Sequence, residues 1–259
     1  MNIQIQGRFI EGGGDHHRYM RVDDATADRI YDLVKDFWLT RQNQSQQTIK
    51  EVIGRYRQSN QLASMQPVMN KLRALSAGSA PDRPFSLIDF GGANGSLLYA
   101  MKDAFSPGAL RYLLVEPYGP FVEDFRANFP GQPTIVADAE QFAALDDGGF
   151  GEFPFGVFFS SHVLYLIKPS VARAVLEKAG RLTDDILLAD NIKNLRGELD
   201  KRDTVVFDYY PEGGQVYFSH YFESYLDEIG FDIVEATPTK PRDHMMKLGF
   251  GVIHARRRR

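Results

Sequence analysis

Cysteine is absent from this 259-residue chain, which excludes disulfides, thiolate catalysis and any cysteine-ligated zinc site. A large excess of one sign of charge is lacking too. Thirty basic residues against 34 acidic ones leave a net charge of −4, so nothing draws the chain generally to nucleic acid or to an anionic membrane. There is no uninterrupted apolar span of about 20 residues and no signal-peptide pattern, so the expectation is a cytoplasmic protein without a membrane partner. Internal repeats and low-complexity tracts are lacking. The one basic run, Arg256 to Arg259, has no supporting face and reads as a solvated tail.

What is present is ordinary in amount and informative in order. Hydrophobic residues make up 43% and charged residues 25%, enough for a sizeable core in one α/β domain with an elaboration. Residues 1–20 are weakly patterned. Ile3, Ile5 and Phe9-Ile10 suit at most a short strand, and the region reads mainly as loop. His16-His17 are a poor metal pair, because adjacent side chains diverge on a strand and on a helix alike. From Asp23 to about Leu75 the period is helical. One stripe holds Ala27, Ile30, Leu33 and Phe37-Trp38, a second Ile49, Val52 and Tyr56, and a third Leu62 to Leu75, which Pro67 either kinks or restarts. Residues 1–80 are therefore expected to be a helical lid or substrate region. Ser76 to Pro81 is a linker, and residues 81–259 form the second part.

The second part alternates strand with helix. Phe85 to Ile88 is an apolar run that reaches Asp89 and then a loop with Gly91, Gly92 and Gly95. Helical spacing resumes at Leu97. Leu110 to Val115 ends in Glu116-Pro117, and Thr134 to Ala137 ends in Asp138-Ala139. Val157 to Phe159 ends in Ser160-Ser161-His162, and Asp185 to Ala189 ends in Asp190-Asn191. Phe222 to Ile229 is helical and stops at Gly230, a suitable residue after a helix end. Two closing strands follow, at least one antiparallel. This predicts a doubly wound, mostly parallel, seven-stranded α/β sheet preceded by a helical block.

Such a sheet binds ligands at the carboxyl ends of its strands, where Asp89, Glu116, Asp138, Ser160 and Asp190 fall in step. A dinucleotide fingerprint needs Gly-x-Gly-x-x-Gly. From Gly91 those positions are Gly91, Ala93 and Ser96, so the pyrophosphate cofactors do not fit. Asp89 near an ammonium, Glu116 on a ribose diol and Asp138 on an adenine amino group together suit S-adenosylmethionine. On these residues, 85–190 resembles the class I (Rossmann-like) S-adenosylmethionine-dependent methyltransferases of small-molecule type. The acid-x-Gly-x-Gly-x-Gly loop is matched by Asp89, Gly91 and Gly95 with Ala93 at the middle position. Glu116 and Asp138 match the acids ending the second and third strands, and Gly230-Phe231 matches the last helix–strand junction.

The resemblance implies S-adenosylmethionine as cofactor and S-adenosylhomocysteine as product. It implies a cofactor site of Asp89, Gly91, Gly92, Ala93, Gly95, Glu116, Pro117, Asp138, Ala139, Ser160 and Ser161. The acceptor is expected to be a small molecule, with no nucleic acid and no membrane involved; a homodimer stays open. Methyl transfer is an in-line displacement in which the protein supplies position and desolvation. A hydroxyl acceptor also needs a base, and imidazole, titrating near about 6.5, suits that task. His162 is the first candidate, His220 the second and Asp190 the third. Tyr19, Trp38, Tyr165, Tyr209 and Tyr210 are candidates for an aromatic acceptor wall. No metal ligand set can be assigned, since Asp190-Asn191 lacks a third member. The alternatives are a non-catalytic cofactor-binding partner, or a methyltransferase acting on protein or RNA.

Overall fold

The first two strands, β1 (Phe9–Glu11) and β2 (His17–Met20), pair antiparallel. The computed structural model describes residues 9–11, 17–20, 25, 28, 31–32, 51, 54, 65–151, 155–191, 204–208, 215–238 and 250–259. Of the expected helical block, Ala25, Asp28, Tyr31, Asp32, Glu51 and Gly54 are helical. Helix α1 (Gln66–Leu75) buries Val68, Met69 and Leu72 and carries Pro67 in its first turn. Pro67 therefore starts a helix rather than kinking one, because the missing N–H costs nothing where no intrahelical partner exists.

The alternating segment follows as expected. Strand β3 (Phe85–Phe90) leads through the glycine loop to α2 (Ser96–Met101), and β4 (Leu110–Val115) leads to α3 (Gly119–Asn128). Strand β5 is only Thr134–Ile135, shorter than the apolar run suggests. Asp138 ends the extended segment by capping α4 (Ala139–Ala144). Then come β6 (Phe155–Ser161), α5 (Pro169–Leu182) and β7 (Thr183–Asn191). After β8 (Thr204–Asp208) and β9 (Gln215–Ser219), α6 (Phe222–Glu228) leads into β10 (Phe231–Pro238) and β11 (Phe250–Arg257).

The main sheet has seven strands in the order β10-β11-β7-β6-β3-β4-β5. Pairs from β5 to β7 are parallel, and β11 runs antiparallel to both its neighbours. Each face carries its own apolar layer. Val68, Leu72, Leu97, Leu98 and Phe125 from α1, α2 and α3 cover one face, against Leu87, Tyr112, Leu114 and Phe159. Phe142, Val175, Leu176, Phe222 and Leu226 from α4, α5 and α6 cover the other, against Ile88, Val115, Phe158 and Ile186. Phe158 is fully buried between them, and truncating such a ring to alanine costs about 3–5 kcal/mol.

Two expectations are corrected. Residues 1–20 are not simply loop. β2 pairs with β8 and β8 with β9, making a second, antiparallel sheet in the order β1-β2-β8-β9. Its partners lie almost 190 residues apart in the chain, so no local periodicity announces it. The terminal arginines are not a solvated tail either. Arg256 Nε meets Asp185 at 2.9 Å and Arg257 Nε meets Asp184 at 3.2 Å. Arg258 pairs with Asp227 and with Asp232. β11 extends to Arg257 because its register with β7 sets each arginine beside an acid at that sheet end.

Candidate functional site

The glycine loop is held from below and from one side by two buried carboxylates. Asp89, near the end of β3, is 2% exposed and accepts a hydrogen bond from the Tyr112 hydroxyl. Tyr112 stands opposite Leu87 on the neighbouring strand, so its ring reaches diagonally along the face to Asp89. Burial pushes the Asp89 carboxyl up to about 7, against the opposing pull of that bond. The Asp89 carboxylate occupies the space where a Cβ on Gly92 would stand. Gly92 is thus required by the packing of the loop on its own acid.

Glu116, immediately after β4, reaches the loop from the side. Its Oε2 accepts the Ala93 N–H at 3.0 Å and its Oε1 the Tyr118 N–H at 3.0 Å. Burial pushes Glu116 up to about 7, more than those two bonds offset, with the nearby Asp89 charge adding to the rise. Gly91 has φ of 69°, Ala93 φ of 50° and Gly95 φ of 74°, so the loop turns through the left-handed region three times. Gly95 bears this freely, and its missing Cβ also makes room for Phe125. Ala93 bears it at a cost of about 1–2 kcal/mol.

Asp138 is half-buried and closes a capping box. Its Oδ1 accepts the Gln141 N–H at 2.8 Å while Gln141 Oε1 accepts the Asp138 N–H at 2.9 Å. Ala139 is buried, and Pro117, after β4, is exposed. The Ser160 hydroxyl, near the end of β6, is buried without a hydrogen-bond partner among the described residues. The parallel register brings Asp89, Glu116, Asp138 and Ser160 to one edge of the sheet, as the strand-end reading requires.

The three candidate bases are placed very differently. His162 follows β6 directly, is exposed, and holds φ of 59°. A bulky residue seldom adopts that conformation. It is fixed there by its N–H donating to the Ala189 carbonyl at 3.0 Å, and Ser161 Oγ lies 2.8 Å from its Nδ1. His220 is 1% exposed, donates from Nε2 to the Leu164 carbonyl at 2.7 Å, and packs among Phe218, Phe222 and Tyr225. Asp190 is fully buried and accepts the Tyr165 N–H at 3.3 Å. His220 and Asp190 both hold the short turn Leu164–Leu166, so the geometry gives them a positioning task.

Of the acceptor candidates, one falls in that turn. Tyr165 is in it, and Tyr19 lies in β2 opposite Val206 of β8. Trp38, Tyr209 and Tyr210 lie outside the described residues. β9 packs on the turn, and Phe218 of β9 meets the Tyr31 ring at 6.4 Å. Lys168, just beyond the turn, bonds Asp28 at 2.9 Å. The second sheet and the early helical residues thus converge over the carboxyl end of β6.

Sequence reasoning missed Tyr112, Tyr118, Met65 and Val163, whose side chain fills the space a Cβ on Gly91 would take. Tyr112 reads as an ordinary strand residue, and only its register against β3 places the hydroxyl on Asp89. Among the described residues no group of three or more histidine and acidic side chains is placed to hold a metal ion, and no helix is long and apolar enough to cross a membrane.

Comparison with solved structures identifies the fold. Magnesium protoporphyrin IX methyltransferase from Synechocystis PCC 6803, solved with S-adenosylmethionine, has a TM-score of 0.51 and 16% identity, covering 92% of this chain and 99% of that one. CalS10, an amino pentose methyltransferase from Micromonospora echinaspora also solved with S-adenosylmethionine, has a TM-score of 0.52 and 14% identity, covering 74% and 89%. DesVI from Streptomyces venezuelae has a TM-score of 0.51 and 13% identity, covering 92% and 100%. No protein-family model matches the chain. No curated protein sequence is significantly similar to it. The fold is that of the class I S-adenosylmethionine-dependent methyltransferases.

Proposed function

We propose that this protein is an S-adenosylmethionine-dependent methyltransferase that methylates an oxygen or nitrogen of a small, natural-product-like acceptor. The observation that carries the reading is Glu116. Its carboxylate is buried more deeply than its two amide bonds compensate, and each oxygen keeps a lone pair for a further donor. A ribose diol supplies two such donors at the carboxyl end of β4, where a doubly wound sheet takes its ligand. Asp138 and Ala139 on the next strand end then suit the adenine side, and the Gly91–Gly95 loop suits the amino-acid side. The solved structures of this fold with S-adenosylmethionine bound support the same choice of cofactor. When bound, the cofactor supplies an electrophilic methyl group on a sulfonium.

What the chain supplies is orientation, exclusion of water and a place for one proton. His162 is the exposed candidate of the three bases, and its constrained backbone fixes where the ring stands. It takes the acceptor's proton as the methyl group leaves sulfur. His220 and Asp190 hold the turn beside it. The acceptor lies under β2, β9 and the Leu164–Leu166 turn, with Tyr19 and Tyr165 among its neighbours and Trp38, Tyr209 and Tyr210 as further candidates for the wall. The amino pentose and porphyrin acceptors named for the similar structures are small molecules, in keeping with this.

The test is transfer of radiolabelled methyl from S-adenosylmethionine to a fractionated metabolite extract. The expected result is label in a small, extractable product. Label in protein or RNA would reassign the acceptor. Binding of S-adenosylhomocysteine with no transfer to any fraction would make the chain a non-catalytic partner instead.

A further inference from the structure

We propose that Tyr112 is a positioning residue for the cofactor, its hydroxyl holding the glycine loop through Asp89 and the start of α2 through Leu98. This rests on the reading of that loop as the cradle for the cofactor's amino-acid end. Tyr112 is fully buried in β4, so it acts only through other residues. Its hydroxyl donates to Asp89 Oδ2, and that oxygen is the nearest atom to where a Cβ on Gly92 would stand. The backbone N–H of Leu98 hydrogen-bonds to the same hydroxyl. A phenol has one hydrogen to give and lone pairs to receive with, so both bonds are made at once.

The start of α2 shows why the second bond matters. Its N-cap is Gly95, at φ of 74°, which has no side chain to receive the first-turn amides. Leu98 is the third residue of α2, the position whose N–H a serine or aspartate cap would take. Tyr112 takes it from a neighbouring strand instead. The ring extends this support. It stacks on Phe125 of α3 with centroids 5.8 Å apart and planes at 25°, and Phe125 fills the space where a Cβ on Gly95 would stand. One side chain thus bears on Gly92 through its hydroxyl and on Gly95 through its ring. The core has no need of the hydroxyl, since phenylalanine would fill the same volume without a buried polar atom to satisfy. Burial and the adjacent Asp89 push the phenol well above its ordinary range, so the hydroxyl keeps its proton and stays a donor.

The experiment is calorimetric titration of the full chain with S-adenosylhomocysteine, beside amide hydrogen exchange read by mass spectrometry. Tyr112→Phe keeps the ring and removes only the hydroxyl. It is expected to weaken binding roughly tenfold. Exchange should quicken in the peptide from Gly91 to Leu98, while peptides from β6 and β7 exchange as in the wild type. Thr183→Val is the comparison, because it removes a buried hydroxyl at the far end of the sheet, bonded to the Ala179 carbonyl at 2.9 Å. It should lower the urea midpoint and leave affinity unchanged. Asp89→Asn completes a double-mutant cycle, and the double variant should lose less affinity than the two single losses added together. Phe125→Leu keeps the hydroxyl bonds but empties the space under Gly95, and it too should weaken binding. Wild-type affinity in Tyr112→Phe, exchange quickened equally in every peptide, or additive losses in the cycle would overturn the role of Tyr112. If Tyr112→Phe does not fold, undiminished affinity in Phe125→Leu would overturn it. No binding by the wild type would overturn the cofactor reading itself, and this role with it.

Discussion

Carboxylates at the two ends of the main sheet live in opposite circumstances. At the carboxyl ends of β3 and β4, Asp89 and Glu116 are buried with too few donors, and both are pushed up to about 7. At the other end, burial alone would raise Asp185, yet His254 at 2.6 Å and Arg256 at 2.9 Å overturn that and hold it below its ordinary range. Asp147 there is pulled down by hydrogen bonds from Lys178 and Arg181. Lys178, fully buried on α5, also donates to the Leu145 carbonyl. One end is satisfied and holds the fold. The other is left short of donors where a ligand with hydroxyl and amino groups would complete it, a pattern that marks sites more often than scaffolds.

Breaking the carboxyl end should have the largest effect. His162→Gln is expected to lower kcat by about 10²–10⁴-fold with a hydroxyl acceptor, while S-adenosylhomocysteine affinity measured by calorimetry stays unchanged. Undiminished turnover would take His162 out of the base role. At the scaffold end, Asp185→Ala should cost about 1–3 kcal/mol in urea unfolding, because it strips His254 and Arg256 of their shared acceptor. The same variant should bind the cofactor as the wild type does. If it binds poorly, the two ends are not separable in the way described.

A pH series sharpens the contrast further. Asp89 and Glu116 have folded values near 7 against ordinary values of 3.8 and 4.5. The folded state therefore holds protons that the unfolded chain has released. Stability from this source is complete below the ordinary values and is lost as pH rises through about 7. The urea midpoint should accordingly fall between about pH 5 and about pH 8, and Asp89→Asn should flatten part of that slope. A midpoint that rises over this window would show the two acids to be ionised and well solvated. The smallest effect is expected at Ala93→Gly. Relief of the left-handed strain and the added freedom of the unfolded chain oppose each other, leaving a change under about 1 kcal/mol.

Much of this was legible in the sequence for a definable reason. Alternating apolar runs each ended in an acid or a hydroxyl, so β3, β4, β6 and β7 and their strand-end residues could be placed from local pattern alone. The second sheet could not, because β2 and β8 pair across most of the chain. Nor could the terminal arginines, whose partners Asp184 and Asp185 are brought near by the antiparallel register of β11 on β7, and Asp227 by the helix α6. Asp89 and Asp138 were readable as candidate site positions, but their present bonds were not. Tyr112 reaches Asp89 across a diagonal of the sheet, and Asp138 closes a capping box with Gln141. His162 ranked ahead of His220 as a candidate from sequence, but only burial separates an exposed ring from one enclosed by Phe218, Phe222 and Tyr225.

The central claim is that the under-satisfied Glu116 carboxylate receives the ribose of the cofactor, and calorimetric titration of S-adenosylhomocysteine measures this most directly. The wild type should bind at a single site, more tightly as pH rises toward about 7 and levelling beyond it, because the diol prefers the ionised carboxylate. Glu116→Ala should lose about 1–3 kcal/mol of that binding, and Glu116→Gln should lose the part of the pH dependence that Asp89 does not supply. No heat of binding up to millimolar ligand, or equal affinity in wild type and Glu116→Ala, would contradict the account.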